Sequence, residues 1–213
     1  MTVILPQQKL AYFAVPKVAC TTIKTKLFQI ENGTDLERLT VNGRPFPIHR
    51  LYPTRDFADV NHQPLAQYRR FAVVRDPLAR FVSAYRNRVL EKNEIANSRH
   101  VAELRAQGLP LQPDLTTFIT HLRQYFVVRG ISHHFSPMTT FLGPDPAYFE
   151  RIYDISESDQ LIGLISSLAG RPVQPSRHNA SEKGGGAQPT PAQQDWIREF
   201  YRHDYEIFGR FFR

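Results

Sequence analysis

Lys17 follows the apolar run "AYFAV" at 11–15, with Pro16 alone between them, and Thr21 and Thr22 come shortly after. A cation and two hydroxyls where a buried strand passes into a helix make a cradle for an anion. The first N–H groups of a helix have no intrahelical partner, and they carry the positive end of its dipole. The order recurs at 69–77, where "RRFAVV" runs into Arg75, Asp76 and Pro77. Asp76 is a good N-cap, and Pro77 suits the first helical position, where a missing N–H costs nothing. Arg75 then stands at a second strand–helix junction, a second basic residue at such a place. Each junction alone has a plain explanation, a solvated lysine or a simple helix start. Together they predict a ligand with two separated anionic groups, held beyond the carboxyl ends of parallel strands.

The elements that position these residues follow from the pattern. From Thr21 onward, Ile23, Leu27 and Ile30 form a helical stripe that stops near Asn32-Gly33. "PFPIHRLY" at 45–52 reads as a short strand between prolines. Beyond Pro77, Leu78, Phe81, Val82, Tyr85 and Val89 share an apolar face, with Arg80, Ser83 and Asn87 on a polar one beside it. The segment 91–113 reads as a fraying helix end and an exposed loop. A helix over 114–126 takes Asp114 as its cap, and "RIYDIS" at 151–156 is a strand. A helix with Ser158 as cap stops at Gly170, and 171–190, with three consecutive glycines, reads as a mobile loop of lid length. A last helix starts at Thr190-Pro191 and carries Ile197, Phe200, Tyr201, Asp204 and Phe208 along one side. Strands alternating with helices predict an α/β fold, a central parallel sheet flanked by helices in three layers, as one domain over residues 1–213.

Composition narrows the class. The chain has 213 residues, 41% of them hydrophobic and 12% aromatic, enough for one full core and against general disorder. Lys and Arg number 27 against 20 Asp and Glu, a net charge of +7 that favours an anionic partner, without any long basic run. Cys20 is the single cysteine, which excludes an internal disulfide and fits a reducing compartment. No run of about 20 apolar residues is present to span a membrane, which leaves peripheral membrane contact open. The N-terminal "MTVILPQQKLAYF" reaches a strand almost at once, so the expectation is a cytoplasmic protein without a signal peptide.

"PKVACTT" at 16–22 and "RDPLARFVSAY" at 75–85 resemble the two nucleotide-binding motifs of the carbohydrate sulfotransferases that include the chondroitin and dermatan enzymes, sulfotransferase family 2. "HHFSP" at 133–137 is similar to that family's His-Trp-x-Pro element, and "RIYDIS", "RHNAS" and "YRHDYEIFGRF" match weaker features in the expected order. The resemblance runs from about Tyr12 to Phe211. It implies a P-loop NTPase-like sulfotransferase fold and the donor 3′-phosphoadenosine-5′-phosphosulfate (PAPS), released as 3′,5′-ADP, with no metal. It also implies that Lys17, Val18, Ala19, Cys20, Thr21 and Thr22 form the 5′-phosphosulfate loop, and that Arg75 and Ser83 bind the 3′-phosphate. Phe135 stands where the family has Trp and Met138 where it has Gln, a departure on the acceptor side. Animal members carry an N-terminal anchor that is not read here, which suggests a bacterial-type soluble enzyme.

In such a reaction the acceptor hydroxyl must lose a proton, and a general base with pKa near 7 suits that step. His49 lies 26 residues before Arg75, between the two cofactor motifs, and is the first choice; His134 is the second, or orients the acceptor. Lys17 completes the catalytic candidates as the point charge beside the transferred group. Cys20 reads as a small buried residue rather than a nucleophile. Lys183, before the three glycines, is a candidate to close over the nucleotide. The acceptor reads as a glycan, a glycolipid or a small hydroxylated metabolite. The alternatives are a kinase-like phosphotransferase with a degenerate loop, a family member that binds PAPS or a glycan without catalysis, and a basic nucleic-acid-binding domain. No Walker glycines, clear Mg²⁺-binding acid or helix-turn-helix signature supports the first or last of these.

Overall fold

The computed structural model describes residues 3–34, 36, 40–41, 43–173 and 188–213. In chain order its elements are β1 (Val3–Leu5), β2 (Leu10–Phe13), α1 (Cys20–Asn32), β3 (Thr40–Val41), β4 (Arg44–Pro45), α2 (Ile48–Leu51), β5 (Arg69–Val74) and α3 (Pro77–Ala84). There follow α4 (Val101–Ala106), α5 (Leu115–Thr120), α6 (Leu122–Tyr125), α7 (Arg129–Phe135), α8 (Thr139–Leu142), β6 (Arg151–Asp154), α9 (Ser158–Ala169), α10 (Pro191–Phe200) and α11 (Arg202–Phe208). The fold class is α/β, as expected. The chain forms two compact units: Met1–Arg75 with Met138–Lys183 and Ile207–Arg213, and Asp76–Pro137 with Gly184–Glu206.

The first unit is built on a sheet of order β1-β2-β5-β6. β2, β5 and β6 run parallel, with Phe13 opposite Ala72 and Val74 opposite Asp154. β1 is an antiparallel edge strand, Val3 opposite Tyr12, so the sheet is mixed and not wholly parallel. The central strands are apolar because both faces are covered. Tyr12 faces Cys20 of α1, which packs on α9. Phe13, one residue on, points to the opposite face and meets Phe57, Tyr148 and Phe149 edge-on or tilted at 5.3–5.9 Å. His62 is fixed in that cluster, its Nε2–H donating to the Phe57 carbonyl and its Nδ1 accepting from the Tyr148 hydroxyl, both at 2.8 Å.

The second unit is helical, with a core around Phe118 that includes Phe81, Tyr85, Tyr125, Phe135 and Tyr201. Asp76 caps α3, accepting from the Ala79 N–H at 2.8 Å, and Asp114 caps α5 in the same way, as their positions predict. α3 passes into a π-helical stretch, Tyr85–Glu91. The Tyr85 and Tyr125 hydroxyls donate to the carbonyls of Pro113 and Pro110, which secures the loop between α4 and α5. That loop is preceded by helix α4, inside the segment 91–113 that reads from the sequence as a fraying helix end and an exposed loop.

Several expectations change in detail. Residues 48–51 form helix α2 instead of a strand, because the extended conformation set by the prolines stops at Pro47 (φ −69°, ψ 119°). Ser158 is not the cap of α9; Asp154 and Glu157 form a capping box in the turn ahead of it. The last helical stripe breaks at Tyr201 into α10 and α11. Lys183 and most of the 171–190 loop lie outside the described residues. Among the described residues no helix is long and apolar enough to cross a membrane.

Candidate functional site

β2 and β5 are parallel neighbours, so the segments after Phe13 and after Val74 leave the sheet at the same edge. In the first of them the backbone does something unusual: Lys17 (φ 69°) and Ala19 (φ 59°) both occupy the left-handed region without being glycine. Such residues cost about 1–3 kcal/mol each and persist where the surroundings hold them. Val18 between them is fully buried and Cys20 is 9% exposed, which anchors the turn in the core. Left-handed residues set in a tight turn direct successive N–H groups to one side, the arrangement of an anion-binding nest. No side chain caps the N-terminus of α1, which begins at Cys20, and Thr21 is exposed there. Arg75 comes to the same place from β5, its Nη1 donating to the Lys17 carbonyl at 3.4 Å. The guanidinium of the second junction thus reaches the backbone of the first.

His49 stands beside this loop. It is exposed on α2, and its Nε2 lies 2.9 Å from Thr21 Oγ1. On the other side of the ring, Nδ1 lies 3.5 Å from Lys24 Nζ. Lys24 is fully buried on α1 and donates to Thr54 Oγ1 at 2.7 Å. Burial lowers its pKa to about 8, opposed by a smaller contribution from Cys20. Sequence reading passed over Lys24 and Thr54. The signal for Lys24 was present, since it is spaced four residues from both Cys20 and Phe28, also buried, and three from Leu27.

The second unit carries Ser83 on α3 and His134 on α7. His134 donates Nδ1–H to the Gly130 carbonyl at 2.8 Å, which fixes the tautomer and leaves Nε2 without the proton. Arg80 differs from expectation: it is fully buried and not on a polar face. Its Nη2 donates to the carbonyls of His134 (3.3 Å) and Ser136 (2.9 Å), which pins the "HHFSP" backbone to α3. Its guanidinium also lies over the Tyr201 ring, 6.0 Å from the centroid. Here too the spacing held the clue, as Pro77, Arg80, Phe81 and Ala84 make one buried stripe. Asp76 accepts a second hydrogen bond, from the Tyr205 hydroxyl at 2.9 Å. Among the described residues, no group of three or more His, Cys, Asp or Glu is placed to hold a metal ion.

Compared with known proteins, residues 1–211 match one family model, described as the sulfotransferase family. No curated protein and no solved structure matches.

Proposed function

The chain belongs to the sulfotransferase family, and from that premise we propose that it moves a sulfuryl group from PAPS to a hydroxyl of a carbohydrate or glycolipid acceptor, the whole chain serving as one sulfotransferase domain. The observation that carries the reading is the left-handed, core-anchored loop at 17–19, with Arg75 against the Lys17 carbonyl. Strained non-glycine backbone at the end of a parallel strand, two cations and an uncapped helix start fit a phosphosulfate. The residues present therefore suit the donor. Lys17, the N–H groups from Val18 to Thr22 and the threonine hydroxyls would hold its 5′ end. Val18 and Cys20 contribute backbone only, since their side chains belong to the core. Arg75 and Ser83 would hold the 3′-phosphate.

When bound, PAPS supplies an activated sulfuryl group with a good leaving group, so the protein's task is to bind, orient and move one proton. His49 is the general base, because its Nε2 already lies at the threonine of the loop. Lys17 offsets charge at the transferred group. His134 orients the acceptor from the backbone that Arg80 pins. The test is conversion of PAPS to 3′,5′-ADP, followed chromatographically with a panel of glycans and glycolipids, for wild type and Arg75→Ala. Acceptor-dependent turnover that is lost in the variant supports the proposal. Turnover of Mg-ATP instead of PAPS overturns it in favour of a phosphotransferase.

A further inference from the structure

The tautomer of His49 raises a difficulty that its position alone does not solve. An ammonium group has hydrogens to give and no lone pair, so a charged Lys24 facing Nδ1 requires Nδ1 to be the bare nitrogen. The proton then sits on Nε2, pointing at Thr21 Oγ1, so Nε2 has no lone pair to take the acceptor's proton. His134 has no such obstacle, since its Nδ1–H is given to a carbonyl. His49 becomes competent at Nε2 only if Lys24 gives up a proton, so that its amine nitrogen can accept from Nδ1–H.

Resting on the reading of His49 as the base, we infer that Lys24 is its positioning residue and the final proton acceptor of a two-step relay through the imidazole. As the acceptor oxygen bonds to sulfur, the bond from sulfur to the 5′-phosphate oxygen breaks and its electron pair leaves with 3′,5′-ADP. The acceptor's proton passes to His49 Nε2, and the proton on Nδ1 passes to the neutral amine of Lys24, which becomes an ammonium bonded to Thr54 Oγ1. One proton enters the pair per turnover and is returned to solvent through the exposed imidazole.

The surroundings of Lys24 suit this role. Cys20, one turn earlier on α1, and His49 on α2 are the titratable groups that face it, with Tyr12 of β2 behind Cys20. β1 and α9, also packed on α1, contribute Val3, Leu5, Leu161 and Ile165 to the core. Among the described residues no carboxylate lies within ion-pair distance of Nζ to hold the proton there. A lysine with a pKa of about 8 is neutral in about a tenth of molecules at pH 7 and about nine tenths at pH 9. An isolated histidine of ordinary pKa would have finished its titration by then.

The experiment reads the tautomer directly and needs no acceptor. The full chain, labelled with ¹⁵N in histidine side chains and lysine Nζ, is followed by long-range ¹H–¹⁵N spectra from pH 6 to 9.5, with His49→Gln for assignment. The expected result is loss of the proton from His49 Nε2 and its gain at Nδ1 across about pH 8, in step with the Lys24 Nζ titration, and no such exchange in Lys24→Met. Adding 3′,5′-ADP brings negative charge to the loop, so it moves the crossover to higher pH. A proton that stays on one nitrogen throughout, or a crossover unchanged in Lys24→Met, overturns the relay. If that variant does not fold, a crossover and an Nζ titration that fail to coincide in wild type do the same. Calorimetry with 3′,5′-ADP on the same samples tests the donor reading separately, so a missing nucleotide site and a missing relay give different results.

Discussion

Replacing Lys24 with Met removes a buried charge and keeps the volume, and its effect on stability depends on pH in a way that burial fixes. In the folded chain the amine has a pKa of about 8, against an ordinary value of 10.5. Between those values the folded state binds fewer protons than the unfolded one, so the Lys24 contribution to stability rises with pH in that window and is lost as pH falls through 8. The full difference is on the order of 3 kcal/mol at roughly 1.4 kcal/mol per pH unit, and about 2 kcal/mol of it lies between pH 7 and 9.5. Lys24→Met has no such dependence. It also forfeits the bond to Thr54, about 1 kcal/mol at any pH. Urea unfolding of both proteins at pH 7, 8, 9 and 9.5 gives the comparison as a difference of differences, in which that constant offset cancels. Higher pH is avoided because Tyr12, Tyr52, Tyr125, Tyr201 and Tyr205 all titrate above their usual 10.0, and stability they hold below that value begins to fall there. Wild type gaining about 2 kcal/mol on the variant over this range is the expected outcome. A gap independent of pH would refute the argument, since Lys24 would then titrate as a solvated lysine.

His49→Ala should lower acceptor-dependent turnover by about 10²–10⁴-fold while 3′,5′-ADP affinity stays within about twofold, whereas His134→Ala should act mainly on the KM for acceptor; steady-state kinetics with calorimetry separates the two. Arg80→Met leaves the carbonyls of His134 and Ser136 without their buried donor and should cost about 2–4 kcal/mol, read as a lower urea midpoint. Asp76→Ala removes the cap of α3, for a loss of about 1–2 kcal/mol by the same measurement. It also takes away the acceptor of the Tyr205 hydroxyl, whose pKa burial and the Asp76 hydrogen bond both raise, so the ultraviolet titration of that tyrosine should move down in pH.

The parts of the fold that sequence made legible are those in which local pattern and tertiary position agree. "RRFAVV" is a buried strand because its four apolar residues face core on both sides, and Asp76, Pro77 and Thr190 mark helix starts through chemistry that needs no distant partner. The residue types at 17–22 suggest an anion cradle but not the left-handed turns the loop makes, since neither Lys17 nor Ala19 is a residue that favours them. The burial of Lys24, which the sequence reading passes over, and of Arg80, which it places on a polar face, escapes it for a common reason. Charged residues on helices are normally solvated, and only their spacing among buried neighbours shows otherwise. α2 reads as a strand because the five residues between Pro47 and Pro53 carry too little periodicity to decide.

In the proposed function, the loop at 17–22 and Arg75 form a site for a nucleotide with phosphates at both ends. Calorimetric titration of the protein with 3′,5′-ADP in the absence of metal, beside Mg-ATP and beside Arg75→Ala, tests that most directly. Micromolar binding of 3′,5′-ADP, weakened at least tenfold in the variant and not matched by Mg-ATP, is the predicted result. No binding of 3′,5′-ADP, or equal binding in Arg75→Ala, would contradict it.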